Sequence, residues 1–214
     1  MSRRNLPFLL AAFVLAAFPL SWLAHPAPLK VHAAQENQPV YNAKGQLQLP
    51  ANYREWIYLS TGLGMNYTPG ADQAASDPAF DNVFVNPEAW RTFQSTGTWP
   101  DKTMLVLESR GSRNQGSINR AGHYQSTGRM GLEVHIKDTQ HFPAPQFPGG
   151  WAFVSFDSGT NGSLFQPKAD CYSCHQQHAA VDTTFVQFYP TLLPLATSKH
   201  TLSPAYLAEE AARH

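Results

Sequence analysis

The only two cysteines of the chain, Cys171 and Cys174, stand three residues apart, and a histidine follows directly: Cys171-Tyr172-Ser173-Cys174-His175. This spacing has a mechanical meaning. Two thiols so placed can each add to one vinyl group of a haem, forming thioethers, and the adjacent imidazole is then held beneath the iron as an axial ligand. One ring nitrogen binds the metal, and the hydrogen bond made by the other sets its basicity. The motif therefore predicts one covalently attached haem c, with Cys171, Cys174 and His175 binding the cofactor and His175 ligating the metal. Two other chemistries use the same residue types. A redox disulfide of the thioredoxin kind expects a βαβ setting near the N-terminus. A structural zinc site needs two further ligands, and no second cysteine pair exists.

The residues after the motif fit a haem pocket. A helix is expected over 179–189, ending at Pro190. On it, Asp182, Phe185 and Tyr189 would share a side with His175, and Phe185 and Phe188 would wall the porphyrin. His178 reads as an exposed helical residue. Whether the iron has a second protein ligand decides the function. An open position gives a small-molecule site that binds or turns over nitric oxide, hydroxylamine or peroxide. A filled one gives a plain electron carrier, for which Met65, Met104, Met130, His123 and His135 are the candidates. The sequence does not choose between an enzyme, a sensor and a carrier, and it does not name the redox partner.

Residues 1–34 read as an export signal. Arg3 and Arg4 are followed by an apolar run of 11 residues from Phe8 to Phe18, and Val31-His32-Ala33-Ala34 offers small residues for cleavage. The competing reading is an uncleaved anchor, since Leu6 to Leu23 spans 18 nearly charge-free residues. Either reading places the domain, residues 35–214, in the periplasm, where covalent haem attachment takes place. The 214-residue chain is 43% hydrophobic and 14% charged, hence globular rather than disordered. Fifteen basic residues balance fifteen acidic ones, so nothing suggests a nucleic-acid partner; without Arg3, Arg4 and Lys30 the balance is 12 to 15, a net charge of −3 that argues only for solubility.

The elements that must position the motif are mainly strands. Residues 35–49 are polar, an arm or a short first strand, and 50–56 suggest a helical turn. Strands are expected over 56–67, 83–85, 102–109, 131–138 and 150–157, from β-branched and aromatic content or alternation. In the fourth, Leu132, Val134 and Ile136 face one side and Glu133, His135 and Lys137 the other. Residues 68–78 read as a loop, 111–128 as a polar loop or hairpin region, and 87–95 as a helix capped by Asn86 with Pro87 at its first position. The fold class is α+β: an antiparallel β-sheet with flanking helices, and the haem motif at the start of a C-terminal helix.

Taken in order, several stretches resemble the cytochrome P-460 family of exported monohaem cytochromes. They are Leu49-Pro50-Ala51-Asn52-Tyr53-Arg54-Glu55-Trp56, Val83-Phe84-Val85-Asn86-Pro87-Glu88, Gly131-Leu132-Glu133, Lys137-Asp138-Thr139-Gln140, Trp151-Ala152-Phe153, and the haem segment with Asp182, Phe185 and Phe188-Tyr189-Pro190. The resemblance implies a homodimer, a five-coordinate haem with an open distal face, and a distal carboxylate at Glu133. It also exposes two departures. Hydroxylamine-oxidising members bond a lysine to the porphyrin at the position of Leu107, and leucine cannot form that bond. Lys102 lies five residues away on the other side of the strand. An arginine that some members carry before the Val83 strand is replaced by Asp81. The chain is thus more similar to the sister group, the cytochromes c′-beta, which cap the iron with apolar groups and bind nitric oxide. Leu107 fits that cap, and Glu133 adds a base beside it.

Overall fold

In the computed structural model, residues 37–67, 77–157 and 159–213 are described. The expected leader, 1–34, and most of the 68–78 loop lie outside them. Six strands form one sheet in sequence order: β1 (Ile57–Leu63), β2 (Phe80–Val85), β3 (Met104–Arg113), β4 (Tyr124–Lys137), β5 (Trp151–Ser155) and β6 (Ser163–Leu164). Every neighbouring pair is antiparallel. The helices are α1 (Pro87–Thr96), α2 (Asp170–His178), α3 (Leu193–Ser198) and α4 (Pro204–Ala212). This is the expected α+β class. Among the described residues no helix is long and apolar enough to cross a membrane.

Both faces of the sheet are covered, which makes three layers. Alternation along β4 sends Leu132, Val134 and Ile136 to one face, where they are fully buried with Met104, Val106, Ala152 and Val154. Tyr53, Trp56, Phe142, Phe147 and Tyr172 close that core. On the opposite face Val85, Leu105 and Trp151 pack against Ala89 and Phe93 of α1 and against Val181, Val186, Leu192 and Ala196 of the C-terminal segment. Asn86 stands at the N-cap position of α1, as expected, but its side chain makes no cap bond. Its carbonyl oxygen accepts from the Met104 amide (2.9 Å) and its amide donates to the Lys102 carbonyl (3.2 Å), tying α1 to β3.

Of the two readings of 111–128, loop or hairpin, the structure takes the hairpin, with β3 running to Arg113 and β4 starting at Tyr124. The pairing Ser112↔Gln125 and Arg113↔Tyr124 is bulged and solvated on both sides, so no apolar alternation marks it. The 179–189 helix does not form. α2 ends at Ala179 in extended conformation (φ −74°, ψ 135°), and Val181 and Thr184 form an isolated bridge. Asp182 takes a left-handed φ of 52°, and only a 3-10 turn, Val186–Phe188, follows. Val181, Thr183 and Thr184 are β-branched and pay a χ1 penalty in a helix, which an apolar periodicity alone does not reveal.

Candidate haem site

α2 carries the motif one residue after its start at Asp170. Tyr172, between the two cysteines, anchors the helix to the sheet. Its ring packs edge-on against Phe153 (4.8 Å between centroids), and its hydroxyl accepts from the Phe153 amide at 3.3 Å. That anchor leaves Cys171 and His175 facing the pocket side of the sheet. They line a cavity of about 300 Å³ together with Leu107, Glu133, His135 and Phe185. Its floor comes from strand register. Ser60, Val83, Leu107 and Glu133 form one cross-strand row, Gly62 and Asp81 lie in the next, and Leu105, His135 and Phe153 make a third. Leu107 and Glu133, singled out separately in the sequence, are thus direct cross-strand partners on the floor.

His175 is half-buried, and its Nδ1 meets the Thr183 carbonyl at 2.7 Å. Burial pushes its pKa below the ordinary imidazole value, against the opposing pull of that carbonyl, so the ring is neutral. Nδ1–H then donates to Thr183, and Nε2 remains as the lone-pair donor. Aromatic rings hold the imidazole: Phe185 at 4.2 Å between centroids, Phe153 at 4.6 Å and His135 at 5.1 Å. His135 is stacked on Phe153 at 4.0 Å. Burial, then the nearby His175, drives its pKa well down, so it too is neutral.

The failed helix explains this geometry. In a continuous helix the Thr183 carbonyl would accept from the backbone four residues on. The left-handed Asp182 releases it to orient His175, and the same turn brings Phe185 onto the imidazole. Thr183 and Tyr172 were not found from the sequence. Thr183 acts through its main chain, and Tyr172 occupies a variable position of the motif.

Both cysteines are free thiols, half-buried. Burial raises the Cys171 pKa, and Glu133 and Asp170 add to the rise. Cys174 opens onto a neighbouring cavity that shares Tyr67, Phe185 and Phe188 with the first. Glu133 lines the cavity and is exposed to solvent. Burial raises its pKa, and the charges of Asp157 and Asp81 raise it further. Of the candidate second ligands, Met104 is fully buried in the core on the far face and Met130 is 70% exposed on the hairpin. His123 is exposed on that same hairpin. Met65 lines the cavity. His178 is half-exposed at the end of α2, with Nδ1 2.8 Å from Glu209. Lys102 precedes β3, and its ammonium pairs with buried Asp138, away from the cavity.

A neutral imidazole with one free nitrogen, a flanking thiol and an aromatic, largely apolar wall fit a haem: the porphyrin needs apolar surface and the iron a nitrogen donor. Fold and site together define a haem-binding α+β domain. The family model for cytochrome P-460 matches residues 50–186, and the chain belongs to that family. Haem is its cofactor. No curated protein matches the chain.

Proposed function

We propose that the chain is an exported monohaem c-type cytochrome whose haem is bonded to Cys171 and Cys174 and ligated by His175. Its distal position is open to nitric oxide, hydroxylamine or peroxide. The observation that carries the reading is the asymmetry of the cavity. One side holds His175, fixed through Thr183, with His135 beside it. The floor holds Leu107, an apolar group, and Glu133. Haem supplies the coordination position and the electrons. Glu133, with a carboxyl pushed up by burial, is suited to move a proton to or from a ligand.

The basic and apolar leader supports export to the periplasm. A homodimer is proposed on the family resemblance. A second reading rests on Met65. It is the one methionine among the described residues that lines the cavity, and a thioether bonded to iron would make a six-coordinate electron carrier. The spectrum of the reduced protein separates the two. A broad high-spin band supports the open site, and sharp low-spin bands support the carrier.

A further inference from the structure

The cavity has a one-sided charge. Asp81 and Glu133 both line it, and among the described residues no lysine or arginine does. Asp81 is fixed in place: the Ser109 hydroxyl donates to its Oδ1 at 2.5 Å, across the β2–β3 pairing. Its charge reaches the cavity, since it acts on both Tyr67 and Glu133. The nearest guanidiniums cannot compensate. Strand alternation turns Glu108 to the opposite face from Leu107, and Arg54 and Arg110 are paired with it there. Lys137 follows His135 on the pocket face, but its ammonium is held by the Trp99 carbonyl (2.8 Å) and by Asp182 (3.2 Å).

We propose that this pocket selects its distal ligand by charge, with Asp81 and Glu133 admitting neutral molecules and excluding small anions. Asp81 is the specificity determinant. The proposal rests on the open-site reading and adds the class of ligand. An anion entering the cavity meets both carboxylates, and added salt screens the repulsion.

The test uses the purified haem-loaded protein, the variants Asp81→Asn and Glu133→Gln, and the double variant. The Soret band is followed during titration with carbon monoxide (ferrous protein) and with azide and hydroxylamine (ferric protein). Each variant should tighten azide about tenfold and the double variant more, while carbon monoxide, being neutral, changes less than about twofold. Hydroxylamine, which ligates as the neutral base, should change as little as carbon monoxide. Raising ionic strength with a non-coordinating salt should tighten azide in the wild type and not in the double variant, which a purely structural role of Asp81 would not produce. If carbon monoxide fails to bind the wild type, the open-site reading falls and the proposal with it. If carbon monoxide binds normally and azide affinity is the same in all four proteins, the charge filter alone is overturned.

Discussion

An imidazole serves a metal only when it is neutral and aimed, and His175 meets both conditions through its neighbours. Burial keeps it neutral and the Thr183 carbonyl fixes its tautomer. The two cysteines carry a prediction of their own. Replacing both Cys171 and Cys174 with alanine should abolish covalent haem, because the chain has no other thiol. Acid–acetone should extract no haem from the wild type, and free extraction would sink the attachment. Leu107 carries another. It lines the cavity floor but has no nucleophile, so mass spectrometry should find two protein–haem bonds and no third. Glu133 carries a third. Glu133→Gln keeps the shape and removes the base, so turnover of hydroxylamine or peroxide should fall about a hundredfold or more; unchanged turnover would strip Glu133 of a catalytic role. These residues were legible because the motif spacing and the family stretches name them. Thr183 was not, because a main-chain acceptor is defined by where a helix stops and not by its side chain.

The strands are the legible elements, and β4 shows why. Apolar and polar residues alternate from Leu132 to Lys137, one face meets a core and the other a cavity, and the sequence records that difference directly. The hairpin beyond Ser109 lacks the contrast because water covers both faces, so the sequence leaves loop and hairpin open and does not show its register. What holds its base is a buried charge. Glu108 is 2% exposed and accepts hydrogen bonds from Tyr53, Arg54 and Arg110. Burial pushes its pKa up, but these partners outweigh that and hold it below the usual carboxylate range. A carboxyl depressed in the folded state stabilises above its unfolded pKa, about 4.3 for glutamate, and that stability is lost as pH falls through the folded value. Glu108→Gln should therefore destabilise the protein by about 1–3 kcal/mol at neutral pH. Urea denaturation should show the gap between the two proteins closing as pH drops below about 4, in the acid direction only. A gap that persists unchanged at low pH would mean that packing, not charge, is what Glu108 supplies.

Across the whole molecule, the sheet divides two labours. One face is closed by a continuous aromatic and aliphatic core, and the other is split between the core under α1 and the cavity beside α2. That division bears on the sixth ligand. A methionine on the closed face, such as Met104, cannot reach a haem in the cavity without unpacking the core, and Met130 stands exposed on the hairpin. His135 reaches the cavity but stands on the His175 side, held between Phe153 and Trp151. Of the methionines among the described residues, Met65 alone lines the cavity. It lies just beyond β1, and its sulfur rests over Gly62, where a Cβ would come within 2.5 Å of it. The thioether is thus packed on its own strand by the lack of a side chain at Gly62, while 38% of the residue stays exposed to solvent. A ligand held so loosely competes poorly with an entering diatomic. The expected outcome is a high-spin, five-coordinate ferrous spectrum that Met65→Ala leaves unchanged. Carbon monoxide and nitric oxide should bind in a single phase, with no slow step from ligand release. A low-spin wild type that becomes high-spin in Met65→Ala would reverse the assignment. The pocket would then be that of an electron carrier, with its apolar floor excluding water from the haem and not receiving a gas.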